Sequence, residues 1–125
     1  MALSQGTLGF PTVVSNNSTS TIYTVASSKK VYIRSIVIHN ANYGSGNDGL
    51  SQTVQIHMVA NGGSVSASTR IARVTLVPDD TFFFEPQYPI TMVDNGDTIR
   101  VNNEGTSTGS ADNSVTVLIL GDVEE

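Results

Sequence analysis

The stretch Thr21–Ala41, TIYTVASSKKVYIRSIVIHNA, decides the fold class of this 125-residue chain. Two runs rich in β-branched and aromatic residues flank Ser27-Ser-Lys-Lys, a polar tetrad that reads as a turn. Val31 to Asn40 reads as the longer strand. Strict alternation puts Tyr32, Arg34, Ile36 and Ile38 on one face and Val31, Ile33, Ser35, Val37 and His39 on the other. Both faces carry apolar side chains, so the strand is expected at the centre of a sheet, covered by a second sheet on one side and by a neighbour on the other.

Outward from that strand the chain repeats the same grammar. Gln52–Ala60 alternates, with Val54, Ile56 and Met58 inward and Thr53, Gln55 and His57 outward. Thr69–Val77 follows, with Ala72, Val74 and Leu76 on one face, and Pro78-Asp-Asp makes a turn. Phe82–Phe84 is a short aromatic strand, and prolines at 86 and 89 place an edge or bend after it. Asp94-Asn-Gly-Asp is a strong turn ahead of Thr98–Val101, whose Ile99 and Val101 face inward, and Ser114–Leu120 is the last strand. NYGSGNDGLS and NNEGTSTGSADN read as exposed loops. No helical period competes. About eight strands in one chain of this length predict an all-β, single-domain antiparallel β-sandwich, jelly-roll-like. Its divisions are expected to be an arm or loose strand over 1–20, the sandwich over 21–121 and a frayed acidic tail over 122–125.

Charged residues make up only 14% of the chain, against roughly 25% in ordinary soluble domains. Polarity therefore comes from Ser, Thr, Asn and Gly, a surface that packs against neighbours with little desolvation of charge. A net charge of −5 with six scattered Lys and Arg argues against nucleic acid as a direct ligand. Without cysteine, robustness has to come from packing, hydrogen bonding or assembly. The opening MALSQGTLGF lacks the basic and apolar regions of a signal peptide, and no run is long enough to span a membrane as a helix, so a soluble product is expected.

The chemistry-bearing residues form no catalytic pattern. Asp79 and Asp80 follow a proline, where a carboxylate accepts turn amides. Asp94, Asn95 and Asp97 offer hard oxygen ligands but lack the full calcium-loop spacing, and Asn47 and Asp48 lie in a glycine-rich loop. His39 and His57 sit on strands without the further ligands a zinc site needs. No nucleophile elbow, phosphate loop or dinucleotide fingerprint is present, so neither an enzyme nor a cofactor or metal is expected. A carbohydrate-binding module is the alternative, with Tyr43 as platform beside Asn42, Asn47 and Asp48.

The segment Tyr23-Thr-Val-Ala-Ser-Ser-Lys-Lys-Val-Tyr-Ile-Arg-Ser-Ile-Val-Ile-His-Asn resembles a pattern in small β-sandwich structural proteins of tailed bacteriophages, a turn leading into a strand that ends in Asn. GGSVSASTRIARVTLVPDDTFFFE and DNGDTIRV resemble the strand pair and closing motif that follow, so the likeness spans about residues 20–102. Ala26-Ser27 and the long NYGSGNDG loop depart from the pattern. The resemblance implies a virion component. The expectation is a capsid decoration, or cement, protein that binds other virion proteins, above all the major capsid protein, and self-associates, as a trimer in the leading case. A neck, tail or fibre-associated adaptor is the alternative within the same family. Candidate contact residues are Tyr32, Ile36, Ile38, Phe82, Phe83, Phe84 and Tyr88.

Overall fold

The computed structural model describes residues 3–8, 11–41, 51–104 and 114–124, and all its regular elements are strands. They are β1 (Leu3–Thr7), β2 (Thr12–Ser15), β3 (Ser18–Thr24), β4 (Lys30–Asn40), β5 (Gln52–Val59), β6 (Arg70–Leu76), β7 (Thr81–Phe84), β8 (Ile90–Met92), β9 (Thr98–Asn103) and β10 (Ser114–Glu124). One sheet runs β1-β10-β4-β7, with β2 also on β10 and β8 also on β4; the other runs β3-β9-β5-β6. Every pairing is antiparallel.

β2 and β1 take successive lengths of the same side of β10, and β7 and β8 take successive lengths of the same side of β4. The six-stranded sheet is thus four positions wide, and the ten strands wind as a jelly roll between two four-wide sheets. Pro86 and Pro89 fall in the break between β7 and β8, where a ladder has no use for their missing N–H. β1, β2 and β8 have no clear alternation; the first two fall where an arm or loose strand was expected, and the third was not expected as a strand; β10 supplies the template for the first two and β4 for the third.

The core lies between the sheets. Ile33, Ile36, Ile38, Ile56, Ile99 and Ile119 are fully buried there, each contributing about 1.5–3 kcal/mol by leaving water. Phe82 and Phe84 pack on this core from one edge, their rings 6.5 Å apart. Two buried amides tie the layers together at one end. Asn40 Nδ2 of β4 donates to the Leu76 carbonyl of β6 at 2.9 Å, and Asn103 Nδ2 of β9 donates to the Val14 carbonyl of β2 at 3.3 Å.

Strict alternation fails at one place in β4. Ser35 faces Leu120, but the next pairing is Ile33 with Gly121, so Arg34 is an extra residue in a β-bulge. Val31 and Ile33 point into the core below the bulge, and Ile36, Ile38 and Asn40 above it. Tyr32 therefore does not share a face with Ile36 and Ile38, contrary to the uninterrupted pattern. Gly121 makes the bulge possible, because a Cβ there would lie 2.1 Å from the Tyr32 carbonyl oxygen. The expected frayed tail is corrected too. β10 continues to Glu124, paired with β1 and β4, and Asp122 is buried.

Candidate functional site

Of the seven expected contact residues, Ile36 and Ile38 are corrected first. Both have no exposed surface and belong to the core, because the bulge turns them inward. Phe82 and Phe84 are half-buried against that core. Phe83 and Tyr88 are exposed, at 59% and 76%. The Tyr32 hydroxyl donates to Glu124 Oε2 at 2.5 Å, and this bond is the first cause that raises the phenol above its ordinary pKa.

The bulge brings a different set of apolar residues to the outer face of the six-stranded sheet. Val37 stands opposite Leu118 on one side and Phe83 on the other, forming a row across β10, β4 and β7. Leu120 lies two residues along β10, and Val13, 59% exposed, faces Thr116 across the β10–β2 pair. Leu118, Val37 and Leu120 are half-buried on a face that no other element of the described chain covers. One end of the patch is polar, where Arg34 Nε donates to buried Asp122 Oδ2 at 2.5 Å beside the Tyr32–Glu124 bond. A shallow hollow of about 290 Å³ between Gly6, Arg34, Leu120, Gly121 and Asp122 joins the two parts. At the other end His39 Nε2 lies 3.2 Å from Asp79 Oδ1, and its Nδ1 meets the Thr81 hydroxyl at 2.8 Å. Alternation alone missed this patch; the isolated Gly121 inside an apolar strand was the available signal for the bulge that forms it.

The outer face of the four-stranded sheet is chemically opposite. Arg73 clasps Glu104 with two bonds, Nε to Oε2 at 2.7 Å and Nη2 to Oε1 at 3.0 Å, and Gln55 Nε2 donates to the same carboxylate at 2.6 Å. These donors hold the Glu104 carboxyl far below its ordinary 4.5, at about 2. Gln55 Oε1 then faces His57 Nε2 at 2.9 Å, and His57 Nδ1 meets the Thr69 hydroxyl at 2.8 Å. Since the Gln55 oxygen only accepts, Nε2 carries the proton. Burial, then the charge of Arg70, lowers the His57 pKa.

The Asp94–Asp97 stretch is a turn. Asp97 N–H donates to the Asp94 carbonyl at 3.2 Å, Gly96 takes φ +89°, and Asp97 Oδ1 accepts the Asn61 N–H at 2.9 Å. Among the described residues no group of three or more His, Asp or Glu is placed to hold a metal ion. The loop residues Asn42, Tyr43, Asn47 and Asp48, singled out for a sugar or an ion, lie outside the described residues.

No family model matches the chain, and no curated protein matches it either. Among solved structures, chains of infectious bursal disease virus are similar in course. The Gx strain gives 11% identity and TM-score 0.39 over 98% of this chain, and the Gt strain 12% and 0.36 over 98%. This chain spans about a third of either, 31% and 32%. At those scores the likeness shows neither a family nor a role, and neither virus strain is a tailed bacteriophage.

Proposed function

We propose that this chain is a structural protein of a virus particle, a decoration protein that fastens to a shell of capsid protein through the outer face of its six-stranded sheet. The observation that carries the proposal is the row Leu118–Val37–Phe83, which no described element covers and which runs from the two longest strands, β10 and β4, onto the short strand β7. Leu118 and Val37 stand on paired central strands and Phe83 is laddered to the second of them, so little backbone ordering entropy is lost on docking. Phe83 is its natural anchor, since a partner that encloses the ring desolvates the most area per side chain. The likeness of residues 20–102 to tailed-phage structural proteins supports the setting, and the low charge density supports many close contacts made at once. Each contact is modest, and simultaneous engagement of several copies raises the effective affinity.

The test is co-sedimentation of the purified chain with shells of the virus that encodes it, alongside its molar mass by light scattering. Phe83→Ser is expected to weaken shell binding about tenfold, the cost of one hot-spot aromatic, with the melting temperature unchanged. Binding indifferent to that change refutes the docking face. A closed ring of six or twelve in solution refutes the decoration role and favours a neck or tail component, whereas a monomer or trimer supports it.

A further inference from the structure

We propose that the outer face of the four-stranded sheet binds an acidic polysaccharide, with a carboxylate or sulfate group of the sugar held between Arg70 and Arg100. The register builds this site. Arg100 of β9 stands opposite His57 of β5, which stands opposite Arg70 of β6, so three strands contribute one cross-strand row. Asn102, Gln55 and Arg73 form the next row, and Thr21 and Thr19 of β3 extend the two rows at one end.

Charge is concentrated here against the trend of the molecule. Three of the six Lys and Arg residues lie in two adjacent rows, while the chain as a whole carries −5. Glu104 is the carboxylate among them, and Arg73 and Gln55 already engage it. Neither Arg70 nor Arg100 has a carboxylate within salt-bridge distance among the described residues, and Arg100 Nε is spent on the Thr98 hydroxyl at 3.0 Å. His57 lies between the two guanidinium-bearing positions, buried, with both ring nitrogens already engaged. Two arginines on alternate strands, with neutral His57 between them and only the more distant Glu104 carboxylate to offset Arg70, leave positive charge for a ligand to neutralise. An oxyanion does so with charge-assisted bonds from guanidinium groups whose fork geometry matches it.

The surroundings select the kind of molecule that carries the oxyanion. The rows offer hydroxyls and amides from Thr19, Thr21, Asn102 and Gln55, and no aromatic residue stands in them. Protein partners draw on aromatic anchors at the centre of an interface, and this face has none to offer. Nucleic acid calls for a longer cationic track than a patch of formal charge +2 on a protein of −5. A hydroxyl-rich chain with spaced negative groups meets both the hydrogen-bonding rows and the paired arginines. The site lies on the opposite side of the sandwich from the proposed docking face, so each can fail alone.

The experiment is calorimetric titration of the full chain with heparin, polygalacturonate, neutral dextran and duplex DNA at about 20 mM and about 150 mM salt, where the screening length falls from roughly 20 to 8 Å. Both acidic polysaccharides are expected to bind, more weakly at the higher salt, and dextran is not. Arg70→Ser with Arg100→Ser should lose about tenfold in affinity, the sum of two exposed charge contacts. Arg34→Ser on the other face should lose nothing, and the charge-retaining pair Arg70→Lys, Arg100→Lys should lose less than the serine pair. Melting curves establish that each variant folds. Absence of binding to either acidic polysaccharide, binding unaffected by the serine pair, or duplex DNA bound as tightly as the polysaccharides overturns the proposal.

Discussion

Replacing Gly121 by alanine tests the bulge on which the assignment of both faces of β4 depends. The added Cβ would lie 2.1 Å from the Tyr32 carbonyl oxygen and 3.3 Å from Ile33 Cα, both backbone atoms that no rotamer change can move. Relief requires β4 and β10 to part by about 1 Å, since ordinary contact needs more than 3 Å. That movement breaks or lengthens about two ladder hydrogen bonds at about 1 kcal/mol each and adds overpacking strain of about 1–3 kcal/mol, a total near 3–5 kcal/mol. A chain of this length has roughly 6–15 kcal/mol of stability, so the variant should still fold. With a urea slope of about 2 kcal/mol/M, the unfolding midpoint followed by circular dichroism should fall by about 1.5–2.5 M. Gly6→Ala is the control, because Gly6 pairs with Gly121 yet has open space at its Cβ. Its φ of +125° still makes alanine unfavourable there, by about 1–2 kcal/mol. A Gly121→Ala midpoint within experimental error of the parent would refute the bulge geometry.

Two further outcomes follow from buried polar groups. Gln52 is fully buried at the start of β5, and neither its amide nitrogen nor its oxygen has a hydrogen-bond partner among the described residues. Gln52→Leu should therefore raise stability by about 1–3 kcal/mol, read as a higher urea midpoint, and a loss would show that the amide is satisfied in solution. Glu104 has a folded pKa of about 2 against an ordinary 4.5, so its contribution is present above pH 4.5 and is lost as the pH falls towards 2. Solvent at Arg73, whose side chain is 52% exposed, reduces that contribution to about 1–2 kcal/mol. Glu104→Gln should flatten the stability profile in that window, and an unchanged acid limb would contradict the clasp. Burial acts on His57 in the same direction, lowering its pKa below 6.5, so the parent also loses stability as the pH falls below that value.

Much of the architecture was legible because burial on a sheet imposes a period of two. Val54, Ile56, Ile99 and Val101 point where alternation put them, and the Asp94–Asp97 turn is where its glycine and carboxylates required one. Strands whose neighbours create them were not legible. Leu3–Thr7 and Ile90–Met92 carry no pattern of their own and become strands by completing the ladders of β10 and β4. Among the candidate contact residues, Phe83 and Tyr88 are exposed, whereas Ile36 and Ile38 were assigned to a surface they do not reach. The row Leu118–Val37–Phe83 and the row Arg100–His57–Arg70 were both missed, because each joins residues far apart in the chain.

By itself, then, the sequence determined the class of fold, an antiparallel sandwich of short strands, since this follows from local periodicity, turn chemistry and composition. Tertiary structure decided which side of the central strand is surface. That question turns on a single unpaired residue, Arg34, and on a glycine 87 positions away whose missing Cβ lets the two backbones close on each other. One extra residue moves every later side chain of the strand to the opposite face, and periodicity read along one segment cannot reveal the register of its partner.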